Sequence, residues 1–297
     1  MFGIQILKDK HTTCIVLQNS DNTTSAKIAL HEGGRLQELK CNYVFLIKDI
    51  PEFEYKNSYA SSILFPFANR IKEGKYTFLE NEFQLTKNEQ NKNALHGLVY
   101  DKKFEISDSE VHENKCSVTL SYSKKEYAQG FPFKYFISLT YTLYKDSLQL
   151  KVLIKNIDNT SFPFSLGWHP YFLSTDLATS FLKFKSDKKV IFDKNLITKE
   201  IVAHAQEDVF TLKNKQLDDC FFLKDNIVSF STPDYKVDLT SNAKQNFLQL
   251  YTPKDMPIIA IEPMTGVADS FNNKIGLQVL EPQKSYGISW NLTMKTK

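Results

Sequence analysis

The sequence predicts an all-β protein, a large antiparallel sandwich built from 297 residues, on three observations. Apolar and polar residues alternate with period two, the mark of strands that bury one face. Helical periodicity with capping residues is hard to find. No low-complexity linker divides the chain, and no period of about 20–50 residues repeats, which argues against solenoids and propellers.

In chain order, short strands are expected at residues 14–18 and 26–30. Cys116, Val118, Leu120 and Tyr122 share one parity in the next. Ile137, Leu139, Tyr141 and Leu143 then alternate with Ser138, Thr140 and Thr142. After a turn at Lys145-Asp146 the pattern resumes with Leu148, Leu150, Val152 and Ile154, so these segments predict a long hairpin. Further strands are expected at 227–231, 236–240, 247–251 and 258–261. Tyr286, Ile288, Trp290, Leu292 and Met294 mark the last one. Many strands, few helices and no boundary predict one domain over 1–297, with two sheets packed face to face. Most of the Phe and Tyr residues are expected in the core between them.

Composition narrows the function. Hydrophobic residues make up 42% and charged residues 24%, as in ordinary globular proteins. The net charge of +3 comes from dispersed lysines with no basic stripe, so no nucleic-acid partner is expected. Residues 1–10 carry no charged segment ahead of a long apolar run, and no stretch is apolar enough to span a bilayer. A cytoplasmic protein with no membrane partner is therefore expected. Cys14, Cys41, Cys116 and Cys220 lack C-x-x-C spacing and are predicted to be buried thiols. His11, His31, His96, His112, His169 and His204 form no H-E-x-x-H pair, so no metal and no cofactor are expected. Activity should accordingly survive chelation; its loss, restored by one metal ion, would overturn that expectation.

Lysine and arginine total 37, yet only Arg35 and Arg70 are arginines. Arginine persists best where a planar fork must donate two parallel hydrogen bonds. Arg70 lies in Phe65-Pro66-Phe67-Ala68-Asn69-Arg70-Ile71, among apolar or small residues. Burying a guanidinium there is costly unless oxygen acceptors converge on it. Three further segments place ionisable groups in apolar, strand-like surroundings. They are Asn93-Ala94-Leu95-His96-Gly97-Leu98, Ser165-Leu166-Gly167-Trp168-His169-Pro170-Tyr171-Phe172 and Ile258-Ile259-Ala260-Ile261-Glu262-Pro263-Met264. Gly97 would let the backbone approach a neighbour closely. Asp218 in Leu217-Asp218-Asp219-Cys220-Phe221-Phe222 is a weaker fifth signal. Each has an ordinary explanation: a hydrogen-bonded core histidine, a carboxylate capping a strand end, an acidic loop pair. Together, two histidines, a carboxylate and a rare arginine are the parts of a general acid–base site.

These segments resemble the aldose 1-epimerase (mutarotase) family, large β-sandwiches with an open sugar cleft. Pro66-Phe67-Ala68-Asn69-Arg70 matches its Pro-x-x-Asn-Arg segment, and His96-Gly97 and His169-Pro170-Tyr171-Phe172 match its two histidine motifs. Asp218-Asp219-Cys220-Phe221 is similar to its Asp-x-x-Phe element. Glu262, followed by Asp269 and Asn272, resembles the catalytic glutamate segment. Leu280-Glu281-Pro282-Gln283-Lys284-Ser285-Tyr286 resembles the entry to the last strand. Leu98 replaces a second glycine, and Gly167-Trp168 stands where galactose-specific relatives carry an asparagine. The likeness is thus to a divergent branch, and galactose itself is not specified.

The resemblance implies the galactose mutarotase-like supersandwich and interconversion of the α and β anomers of a free hexose. It makes Glu262 the base on O1 and His169 the acid on O5. Asn69, Arg70, His96 and Asp218 would bind the sugar, and Trp168 and Tyr171 would offer it an apolar face. The only partner implied is a small sugar, for a monomer or a homodimer. Two alternatives stand beside this. A hexose-6-phosphate mutarotase would need extra cations around a dianion. A non-catalytic carbohydrate-binding sandwich would have no use for an acid–base pair.

Overall fold

The computed structural model describes residues 1–8, 12–205 and 208–297, which leaves His11 outside the described residues. The expected all-β architecture is present. Five strands, Phe2–Lys8, Thr13–Asn19, Ser25–Ala29, Arg35–Cys41 and Val44–Ile47, form a sheet in chain order. A nine-stranded sheet runs Glu105–Val111, Lys115–Lys124, Tyr135–Tyr144, Ser147–Asn156, Ser285–Thr296, Tyr235–Ser241, Ile227–Ser231, Phe181–Lys183, Phe210–Thr211. The last long strand therefore sits in mid-sheet, antiparallel to both neighbours. An eight-stranded sheet runs Thr198–Ala203, Ser186–Phe192, Asp218–Leu223, Phe247–Tyr251, Ile258–Met264, Gly167–Trp168, Ile63–Leu64, with Tyr171–Leu173 also paired to Ile258–Met264. Two single-turn α-helices, Tyr55–Ser58 and Ser270–Asn273, lie among them.

Period two explains the layering. Leu139, Tyr141, Leu150, Val152, Ile288 and Trp290 project from one face of the nine-stranded sheet. They share one core with Leu248, Leu250, Ile259 and Ile261 of the eight-stranded sheet. The two sheets thus pack face to face, and the opposite face of the eight-stranded sheet remains for other uses. The hairpin turns at Lys145-Asp146 as expected, with Leu143 opposite Leu148. Glu105–Val111 is exposed along its whole length, so it had no apolar alternation to read. Phe2–Lys8 is likewise partly or fully exposed throughout.

Two sequence expectations meet their answers in this packing. Trp168, expected to face the sugar, is instead fully buried and stacks on Trp290 with centroids 6.1 Å apart at 26°. Neighbours on a strand point to opposite faces, so a histidine turned one way sends the preceding tryptophan into the core. Arg35, 2% exposed, spreads its fork over both Asp49 oxygens at 2.7 Å and donates through Nε to Glu32. Its guanidinium lies 4.3 Å above the Tyr55 ring, a bracing role. The four cysteines are buried, and no two of them are linked. Among the described residues, no helix is long and apolar enough to cross a membrane.

Candidate active site

The site lies on the face of the eight-stranded sheet turned away from the main core. Leu248, Leu250, Ile259 and Ile261 point inward, so the residues between them point outward. Gln249 pairs opposite Glu262, Tyr251 opposite Asp218, and Tyr171 opposite Ala260. Glu262 is 2% exposed and Gln249 is equally buried. Apolar groups flank this polar stripe: Cys220, Phe247 and Met264 on one side, Tyr171, Ile258 and Ala260 on the other.

Backbone geometry brings the histidines to the stripe. Arg70–Ile71 pairs with Ala94–Leu95, and the His96 amide donates to the Asn69 carbonyl at 2.9 Å. Gly97 has φ of +78°, and a Cβ there would lie 2.3 Å from the Phe65 carbonyl oxygen. The close approach expected of this glycine is therefore real, and any side chain would push the two loops apart. The His169 amide donates to the Ser62 carbonyl. The rings of His96 and His169 then meet edge to face, 5.0 Å apart. Tyr171 stacks on His169 at 4.9 Å and 19°.

All six expected site residues converge here, through two residues the sequence did not flag. His169 Nε2 lies 3.6 Å from Glu262 Oε1. Glu262 Oε2, His169 Nδ1 and His96 Nδ1 are buried with no hydrogen-bonding partner among the described residues. Arg70 turns its fork to Glu89, with Nε–Oε1 at 2.9 Å and Nη2–Oε1 at 2.7 Å, and donates through Nη1 to Asn69 Oδ1. Gln249 donates to Asp218 Oδ1 at 2.7 Å and accepts from Asn69 at 3.5 Å. Asp219 instead pairs with Lys189, so Asp218 is the member of the acidic pair at the site. Asp269 braces the Arg70 strand, accepting from the Lys72 amide at 2.9 Å. Gln249 carried the signal that flagged Glu262, a polar residue in an apolar strand. Glu89 carried none, because it sits in a polar run that reads as loop.

Burial sets the charge state. It pushes the Glu262 carboxyl well above its usual range, Asp218 pushes it the same way, and Arg70 opposes both. Burial also drives His169 down to about 3. His96 falls well below the usual histidine value through burial and the neighbouring His169 and Arg70. Asp218 is raised, by burial first. Glu89 is the contrast: burial pushes it up, but hydrogen bonds from Arg70 and Asn93 outweigh this and hold it below the usual value. A carboxylate depressed in this way stabilises the fold above its unfolded pKa, and the contribution is lost as pH falls through the folded one. Glu89→Gln should therefore flatten the acid limb of the thermal stability profile. An unchanged profile would show that the ion pair contributes nothing. Chemically, the site offers a carboxyl and an imidazole within reach of two neighbouring atoms, ringed by amides and one guanidinium.

Comparison with known proteins gives the family and the fold. The family model for aldose 1-epimerase matches residues 13–293. The uncharacterized protein YihR of Escherichia coli K12 is 24% identical over 274 residues, 88% of this chain and 87% of that protein. A galactose mutarotase-like protein from Clostridium acetobutylicum superposes with a TM-score of 0.88 at 20% identity, covering 100% of this chain and 99% of that one. The galactose 1-epimerase of Lactobacillus acidophilus superposes at 0.83 with 16% identity, over 100% and 99% of the two chains. At these identities the two structures speak for the fold.

Proposed function

We propose, from the premise that the chain belongs to the aldose 1-epimerase family, that it interconverts the α and β anomers of a free hexose by ring opening and reclosure. The observation that carries this is the buried Glu262–His169 contact of 3.6 Å, with Glu262 Oε2 unpartnered. O1 and the ring oxygen O5 are both bonded to C1, so two groups this close can address both from one side.

Burial disfavours charge on both groups, so the empty pair holds one proton, on Glu262, beside a neutral imidazole. Passing that proton to His169 creates the base and the acid together. Glu262 then takes the O1 proton while His169 gives its proton to O5. The C1–O5 bond breaks, C1 becomes an aldehyde carbon, and the C1–C2 bond rotates. O5 attacks the other carbonyl face, returning its proton to His169 while O1 recovers one from Glu262. Nothing is consumed. Asn69, Arg70, His96 and Asp218 hold ring hydroxyls around the reacting centre. Tyr171 fixes the His169 ring plane by stacking on it.

An uncharged sugar suits the site better than a phosphate ester. Arg70 is neutralised by Glu89, and Arg35 is committed to Asp49 and Glu32. Residues 1–297 are read as one domain acting in the cytoplasm, where four unlinked thiols are at home.

The shared proton predicts the pH profile. The singly protonated pair is the active form, so kcat/KM should be flat through the ordinary histidine value of about 6.5. It should fall on the alkaline side, where Glu262 loses the proton, and on the acid side only near the depressed His169 value of about 3. Anomer exchange measured against pH, with the uncatalysed rate subtracted, checks this. An acid limb centred near 6.5 would contradict a neutral buried imidazole.

A further inference from the structure

Towards one end of the eight-stranded sheet lies a cavity of about 620 Å³, within the roughly 300–1,000 Å³ range of small-molecule sites. Phe222 and Phe247, paired across neighbouring strands, line it edge to face with centroids 4.7 Å apart. Phe247 precedes Gln249 by two residues, so it sits one row further along the face that carries the catalytic pair. The lining includes Phe247 but neither Gln249, Glu262 nor His169. An occupant of this cavity is therefore not the reacting sugar.

Two lining residues hold buried oxygens with no hydrogen-bonding partner among the described residues, Asn246 Oδ1 and Asp225 Oδ1. Neighbours fix the orientation of the Asn246 amide. Asn226 donates to the Ala243 carbonyl at 2.9 Å, so its own oxygen is the atom that accepts from Asn246 at 3.3 Å. That leaves the Asn246 oxygen free, on a residue only 6% exposed. Buried polar groups are nearly always hydrogen-bonded, so two orphan acceptors at one cavity point to a ligand that donates. Asp225 already pairs with Lys185 through Oδ2 at 3.2 Å, so no unbalanced negative charge awaits an ammonium. The donors that fit are neutral hydroxyls. Lys224, Lys244 and Lys274 also line the cavity, all three exposed. Lys224 pairs with Asp187 at 3.2 Å. The Lys274 ammonium donates to the Phe271 carbonyl at 2.6 Å, and neither it nor Lys244 meets a carboxylate among the described residues. Two uncompensated ammoniums call for an anionic group. Half-buried Phe222 offers an aromatic surface to C–H groups.

We propose that this cavity is a separate binding site for a hydroxylated organic anion, a phosphate or carboxylate borne on a polyol chain as in a sugar phosphate or a sugar acid. The anionic group meets the ammoniums of Lys244 and Lys274, and hydroxyls donate inward to Asn246 Oδ1 and Asp225 Oδ1. The proposal goes beyond the epimerase reading and does not depend on it.

Calorimetric titration of the full chain with glucose 6-phosphate, gluconate, glucose and inorganic phosphate tests it. One of the first two should bind at least about tenfold tighter than both glucose and inorganic phosphate, and the tighter of them identifies the anionic group. Inorganic phosphate binding equally well would reduce the cavity to a cationic patch and overturn the proposal. Glucose binding equally well, or no binding by either anion, overturns it too. Lys244→Gln and Lys274→Gln alter exposed side chains, so the fold should persist, and each should weaken the anion by about tenfold. Asn246→Ser withdraws the inner acceptor and should shrink the preference for the hydroxylated anion over inorganic phosphate. Affinity unchanged in both lysine variants overturns the site. Glu262→Gln should leave the affinity as it is, and loss of binding there would place the anion at the catalytic centre instead. All these readouts are of binding alone, so a failure to epimerise any sugar would sink the epimerase reading and leave this site standing.

Discussion

Glu262→Gln and His169→Asn should each slow anomer exchange by orders of magnitude, by roughly 10²–10⁴-fold for a positioned proton-transfer group. Glutamine keeps the shape of the carboxyl but can neither hold nor pass the shared proton. Asparagine stays polar but cannot become an imidazolium. In the proposed mechanism the two side chains, 3.6 Å apart, pass one proton between them, so either loss disables the same step. The double variant should be little slower than the slower single one, and simple multiplication of the defects would assign the residues to separate steps. Stability should not fall in Glu262→Gln. The folded state raises the Glu262 pKa, so it binds that proton more tightly than the unfolded chain does. Stability from this group is complete below the unfolded pKa and is lost as pH rises towards the folded one. At neutral pH glutamine removes that liability, and thermal denaturation at pH 5 and pH 8 would reveal it.

Arg70→Lys is expected to weaken sugar binding by about 1.5–3 kcal/mol, which is roughly 10- to 150-fold in affinity. The guanidinium simultaneously grips Glu89 with two nitrogens and reaches Asn69 Oδ1 with the third. A lysine ammonium is a point donor and cannot hold both in that plane. Asn69 also donates to Gln249, which donates to Asp218, so loosening Arg70 disturbs Asn69, Gln249 and Asp218 together. The defect should appear mainly in KM, because Arg70 contacts neither member of the acid–base pair. A lowered melting temperature with unchanged KM would make the Arg70–Glu89 pair a brace only. Unchanged values of both would make it idle.

The sequence revealed most where burial leaves a pattern. The strands from Lys115–Lys124 to Ser147–Asn156, together with Ser285–Thr296, bury alternate residues and were legible from period two. Edge strands such as Glu105–Val111 bury nothing and left no trace. At the site, Glu262, His96, His169 and Asp218 were visible because each is an ionisable group in an apolar run. Asn69 and Arg70 were visible because arginine is scarce here. Glu89 was hidden, since its value as a partner depends on a fold that brings a polar loop to Arg70. Trp168 was misplaced because an aromatic beside a histidine suggests a sugar platform, while the pleat turns adjacent side chains to opposite faces. The convergence of the four segments depends on sheet topology and on the approach of Gly97 to Phe65, neither of which spacing encodes.

The most direct test is magnetisation transfer between the anomeric protons of hexoses at equilibrium, free and phosphorylated, with and without the protein. The account predicts exchange far above the uncatalysed rate for at least one free hexose, and its disappearance in Glu262→Gln. Exchange equal to the uncatalysed rate for every free hexose, by a folded protein that still binds the sugar, would contradict it.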